Sequence, residues 1–221
     1  ATQQFLGRLK AAEAPAAEAV ATSTAIDAEL NARVKQLAEE HLQGGIPLDR
    51  VNDFKQIGLA LHNFHDAFKH FPAINGMGDG EQRGQLSWRV MLLPYLDQAQ
   101  LYDQFHLDEP WDSDHNKQLI AKMPKIYGDD PEGKTSVHVF TGPGTPFQMD
   151  KGFRFRDILD GTSNTIGVVQ AGPDTAEIWT KPGGLEFDPA NPAKALGDVG
   201  DTFLAMILDG SVHQIRSNNS D

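Results

Sequence analysis

Three groups of residues have the types and spacing to do chemistry. His62, Asp66 and His70 recur every fourth position, which on a helix lines three potential metal ligands along one face with His65 beside them. Asp157, Asp160, Thr162, Ser163 and Asn164 place several oxygen donors on one short stretch. That composition suits calcium, a hard ion that takes about six to eight oxygens, and makes Asp157, Asp160, Ser163 and Asn164 the candidate ligands. Trp88, Trp111 and Trp179, with Tyr95 and Tyr102, offer aromatic faces on which the apolar sides of a sugar ring would stack, and the three tryptophans are the candidate ligand-binding residues.

Each group also has a plainer reading that carries more weight. The histidines sit in a segment whose other positions pack a core. Asp, Gly, Ser and Asn are ordinary turn residues that bond nearby backbone through short side chains. Tryptophans more often anchor a core or an interface than a ligand.

Other chemistries lack their signatures. No serine stands in a Gly-x-Ser-x-Gly elbow, and there is no His-Glu-x-x-His helix. Gly142-Pro143-Gly144 lacks the Lys-Ser/Thr and the following helix of a phosphate loop, and Asp108-Glu109 and Asp129-Asp130 read as surface acids. With no cysteine, disulfides, thiolate metal sites and cysteine nucleophiles are excluded. No catalytic and no cofactor-binding residue is therefore assigned, and calcium is the single candidate ion.

Positioning these residues falls to a chain that changes character along its length. Residues 1–45 are rich in Ala and Glu, with Ile26, Leu30, Val34 and Leu37 at helical spacing, and predict an amphipathic helical arm stopped by Gly44 and Gly45. Residues 46–221 form the second predicted domain. Asp49 is the expected N-cap of a helix over roughly 50–70, with Val51, Phe54, Gly58, Leu61, His65 and Phe68 on one face and Pro72 as its end. Phe54, Leu61 and Phe68 are expected to bury against C-terminal strands.

Small helices should fill the middle. One begins at Leu86-Ser87-Trp88 and breaks at Pro94, and another is capped by Asp112 or Ser113 and ends at Pro124. Beyond Pro131, Val137–Thr141, Thr165–Gln170, Phe203–Leu208 and Ser211–Arg216 are β-prone runs between Gly- and Pro-rich turns. The last two flank Asp209-Gly210, the expected centre of a type I′ hairpin turn. Helices followed by strands predict an α+β fold with an antiparallel sheet.

The chain has 221 residues, 39% of them hydrophobic and 23% charged, enough for one sizeable core. Nineteen basic against thirty-one acidic residues give a formal charge of −12, with Lys and Arg scattered singly. Nucleic acid is excluded as a partner on that balance. No window approaches the ~20 apolar residues of a membrane helix, so no membrane insertion is expected from this segment. Numbering starts at Ala1 rather than Met, and any anchor or targeting signal is expected upstream.

Several ordered segments together carry a resemblance. Lys55-Gln56-Ile57-Gly58-Leu59-Ala60-Leu61-His62-Asn63-Phe64-His65-Asp66 with Phe71-Pro72 closely resembles the signature of a large planctomycete family, domain-of-unknown-function family 1559. The same order continues through Ser87-Trp88-Arg89-Val90, Leu93-Pro94-Tyr95-Leu96, Glu109-Pro110-Trp111-Asp112-Ser113 and His115-Asn116. It runs on through Gly142-Pro143-Gly144-Thr145, Asp157-Ile158, Asp160-Gly161-Thr162-Ser163-Asn164-Thr165, Trp179-Thr180-Lys181-Pro182 and Asp209-Gly210-Ser211-Val212.

The resemblance implies a pseudopilin-like domain, a prepilin-type N-terminal helix packed on an antiparallel sheet, outside the cytoplasmic membrane. It also implies a secretion-associated setting but no activity. Calcium-binding members among secretion pseudopilins add to the calcium reading by analogy. Three departures stand out. The membrane helix usual in the family is replaced here by the expected helix of residues 16–43. The family's His ten residues before the Asp of Asp-Gly is Val199, and its mid-chain Cys-Pro pair is missing around Tyr127-Gly128-Asp129-Asp130-Pro131.

The expected protein is a non-enzymatic structural or interaction module of the cell envelope, on its periplasmic or extracellular face. It would contact protein partners or itself through the arm. The alternatives are a small-ligand domain for carbohydrate or another solute, and more distantly a hydrolase.

Overall fold

A computed structural model describes residues 46–78 and 85–217. The arm of residues 1–45 and its apolar stripe lie outside the described residues. Leu48–Asp221 makes one compact unit.

Its spine is helix α1, Leu48–Phe68, which buries Phe54, Ile57, Gly58, Ala60, Leu61 and Phe64. Both ends differ from the sequence reading. Asp49 sits inside the first turn rather than at the cap, where its carboxylate complements the positive helix end. The chain leaves the helix at Lys69, which adopts φ 64° while its N–H donates to His65 O at 2.7 Å, so the stop precedes Pro72.

Phe68 is also misplaced by that reading. It is 43% exposed and packs its ring, tilted, on Phe64 at 4.5 Å instead of meeting the strands. The helix outruns the sheet: His62 already reaches Leu208 O at the hairpin end, 2.9 Å away, so residues beyond it pack on loops.

Short helices follow. Helix α2, Trp88–Met91, is capped by Ser87, whose hydroxyl accepts from the Arg89 N–H. Pro94 then forces a 3-10 turn at Leu93–Tyr95, and α3 spans Ala99–Tyr102. The helix expected after Ser113 is a 3-10 segment, Asn116–Lys122, with Ser113 Oγ accepting from Asn116 N at 3.0 Å.

Eight strands complete the described residues: β1 Lys134–Thr135, β2 Val137–His138, β3 Phe140–Thr141, β4 Ile166–Gln170, β5 Glu177–Ile178, β6 Leu185–Glu186, β7 Thr202–Ile207 and β8 Val212–Arg216. The main sheet has the order β2-β4-β7-β8, antiparallel throughout. Two small ribbons flank it, β1 with β5 antiparallel and β3 with β6 parallel. The run Val137–Thr141 is therefore shared between two sheets.

The fold is α+β, with α1 laid on an antiparallel sheet. Gly58 lets the helix approach, since a Cβ there would lie 3.2 Å from Met206 Cγ. The opposite face carries Val169, Ala171, Phe203 and Ala205, packed against Leu185 and Leu196 with Ile215 at the margin. Covered on both faces, β7 reads as a continuous apolar run and not as an alternation.

The β7–β8 hairpin is present, but its turn is not type I′. Among Leu208, Asp209 and Gly210 only Gly210 has positive φ, 90°. Gly210 N donates to Ile207 O, and Ile207 N to Ser211 O, both at 2.8 Å. This is a three-residue loop with the glycine at the left-handed position. Asp209 instead accepts from Ser211 N at 2.9 Å.

Candidate functional site

Two of the candidate calcium ligands, Asp157 and Asn164, bond the backbone of their own loop. Asp157 Oδ2 accepts from Arg154 N at 2.9 Å, and Asn164 Nδ2 donates to Asp160 O at 2.9 Å. Thr165 Oγ1 closes the turn on Gly161 O at 3.0 Å. Among the described residues no group of three or more His, Cys, Asp or Glu is arranged to hold a metal.

The histidines of α1 diverge. His62 meets Leu208 O, His70 Nδ1 lies 2.9 Å from Phe71 O, and the His65 ring packs on Phe155 at 4.3 Å. Burial holds His65 below the ordinary histidine value.

The three tryptophans are not brought to one surface. Trp88 and Trp179 are fully buried, Trp179 stacked on Tyr127 and Trp88 edge-on to it. Trp179 Nε1 donates to Ile120 O at 2.8 Å. Trp111 is half-buried near a loop stapled by Asn116. That buried amide accepts from His106 N and donates to the carbonyls of His106, Glu109 and Pro110. Outside it, the His106 and His115 rings stack at 3.5 Å, and His106 Nδ1 lies 2.9 Å from Glu109.

The most heavily built polar site is one that spacing alone did not single out. Arg89 is fully buried, and its Nε and Nη2 donate to Val137 O at 2.9 and 2.6 Å. Nη1 donates to Ser87 Oγ at 3.1 Å, and Nη2 reaches Glu177 Oε1 and His138 Nδ1, each at 3.2 Å. The guanidinium lies 5.0 Å from the Trp88 ring. His138 Nδ1 lies between Arg89 Nη2 at 3.2 Å and Glu177 Oε1 at 3.4 Å, and its Nε2 faces Thr175 Oγ1 at 3.4 Å.

The electrostatics follow from burial. It pulls His138 below its ordinary value and lowers Arg89, against the attraction of Glu177. For Glu177 burial pushes upward, but the hydrogen bond with His138 and the charge of Arg89 outweigh it, and the carboxyl lies below its ordinary value. Tyr127 is raised by burial and donates its hydroxyl to Arg89 O at 3.0 Å. A charge inside the apolar run Leu86–Leu93 was the available signal.

The cluster has a definite task. In the β2–β4 register Ala171 N–H donates to Ser136 O at 2.8 Å, so by alternation the backbone of Val137 points off the sheet edge. Its C=O is taken by Arg89, and its N–H donates to the buried Thr135 Oγ1 at 3.1 Å. This edge is sealed.

The other edge is not. Ile207 and Ser211 form a hydrogen-bonded pair, so by alternation Val212, Gln214 and Arg216 of β8 turn their N–H and C=O outward. Among the described residues no strand pairs there. Beside it lies an open depression of about 620 Å³, lined by Ser163, Ile207, His213, Gln214, Ile215 and Arg216.

A family model described as a protein of unknown function (DUF1559) matches residues 51–146 and 127–220, from the first turn of α1 past the end of β8. No curated protein and no solved structure matches the chain.

Proposed function

Because the chain belongs to this family of unknown function, we propose that it is a non-enzymatic interaction module of the cell envelope, pseudopilin-like and exposed outside the cytoplasmic membrane in a planctomycete. One observation carries the reading. The sheet closes one edge with the buried side chains of Arg89 and Thr135 and, among the described residues, leaves the other, β8, with unpaired backbone groups. An open edge strand is a template for another chain, and proteins that must stay apart blunt such edges with Pro, Lys or bulges. β8 has none of these devices. The buried Arg89–Glu177–His138 cluster acts as scaffold, and no cofactor enters the reading.

The test is cross-linking in the intact source cell with a photoreactive residue at Gln214, and at Gln118 as an exposed control, followed by mass spectrometry. Protein adducts specific to position 214 support the module. Adduct-free protein that instead carries a small solute through purification overturns it in favour of the ligand-binding alternative.

A further inference from the structure

We propose that the partner at the β8 edge is a second copy of this chain, its β8 pairing antiparallel with the first about a two-fold axis at Gln214. This deepens the interaction-module reading and rests on it. The pairing follows from the register. With Gln214 opposite Gln214 of the other copy, Val212 faces Arg216 in both directions, and all three residues are those whose backbone groups point outward. His213 then stands opposite Ile215, on the face where both line the open depression. The strand thus meets its own sequence with every outward group matched.

Charge selects the same partner. A chain of net charge −12 repels its own copies over most of its surface. β8, Val-His-Gln-Ile-Arg, carries no carboxylate, so it is a place where that repulsion is least. In the antiparallel arrangement Arg216 meets Val212 rather than another Arg216.

The sealed β2 edge limits growth. Because Val137 has both backbone groups occupied, a pair joined at β8 presents no second edge of the main sheet, and association closes at two.

The test uses the full chain, which contains no cysteine, so single cysteines are clean reporters of register. Gln214→Cys should oxidise to a disulfide dimer, since it opposes itself, while Gln118→Cys should not. Val212→Cys and Arg216→Cys alone should stay uncross-linked, yet cross-link when mixed. Light scattering of the native chain should show a dimer. Gln214→Pro removes an N–H that the β7 ladder does not use, and should lower the mass about twofold with an unchanged circular dichroism spectrum.

A native chain that is monomeric at high concentration, or Gln214→Cys linking no faster than Gln118→Cys, overturns the proposal. If Gln214→Pro fails to fold, the cysteine register still decides. Should the self-pairing fail while position 214 still cross-links to a different protein in cells, the copy is the wrong partner and the interaction module stands; with neither, both fall.

Discussion

Replacing Arg89 by Met keeps most of the volume and removes every charge-assisted bond at the sealed edge. Val137 O loses both of its donors, at 2.9 and 2.6 Å, and Glu177 loses a cation 3.2 Å away. Ser87 Oγ and His138 Nδ1 each lose a contact as well. Breaking a buried ion pair by deleting one partner costs about 3–5 kcal/mol. Glu177 keeps 21% of its side chain in water, which softens its share, but the carbonyl is enclosed and an unsatisfied buried acceptor costs about 1–3 kcal/mol by itself. The expected loss for Arg89→Met is therefore about 3–5 kcal/mol, with Glu177→Gln costing less. The double variant should fall short of additivity, because Glu177→Gln removes the carboxylate that Arg89→Met alone leaves without its counter-charge, while Val137 O stays orphaned whenever Arg89 is absent. Urea unfolding followed by tryptophan fluorescence is the assay, since Trp88 and Trp179 are buried beside the site and report it directly. A loss below about 1 kcal/mol for Arg89→Met, with an unchanged m-value, would refute the view that this side chain closes the sheet edge.

The remaining expectations concern the spine, the turn, the loop staple and pH. Leu61→Ala should cost about 2–5 kcal/mol in the same assay, whereas Phe68→Ala, at a half-open position, should cost less than about 1 kcal/mol. Gly210→Val should lower stability by about 1–2 kcal/mol or more, because φ of 90° is unfavourable for any L side chain and worst for a β-branched one. Asn116→Ala should leave the carbonyls of His106, Glu109 and Pro110 without their donor, seen as faster amide exchange over residues 106–116. For His138 the folded value lies below the ordinary 6.5, so the unfolded chain binds the proton first. Stability contributed by the neutral ring is complete above pH 6.5 and declines as pH falls from there through the lowered folded value. His138→Gln should flatten the urea midpoint across that window, and an unchanged slope would exclude His138 as its source.

What was legible from the sequence was whatever depends on near neighbours. The α1 span, the order of helices then strands and the Asp209-Gly210 hairpin all follow from local spacing and turn chemistry, whereas the cap position before Asn116 is His115 and not Asp112 or Ser113. What was not legible depends on where elements end in space. Phe68 continues the same helical stripe as Phe54 and Leu61, and only the short reach of the sheet, which stops level with His62, turns it toward solvent. The hairpin needed a third loop residue because Asp209 keeps negative φ while its carboxylate bonds Ser211. The Arg89 cluster joins residues 48 and 88 positions apart, a separation that no periodicity encodes.

The segments that carry the family likeness turn out to share one kind of task. Ser87-Trp88-Arg89 caps a helix, fills the core and seals a strand edge; Ser113 and Asn116 staple the loop of residues 106–110; Trp179 stacks on Tyr127 and bonds Ile120 O; Asp209-Gly210 turns the final hairpin. Most of these polar atoms point inward at backbone groups of this same chain, although the buried Trp88 Nε1 and Thr180 Oγ1 meet no partner among the described residues. The main chain of β8 turns donors and acceptors outward where no strand of the described residues pairs, and any sequence presents them in the same geometry. Specificity at such an edge comes from the side chains beside it, and here His213 and Ile215 supply them.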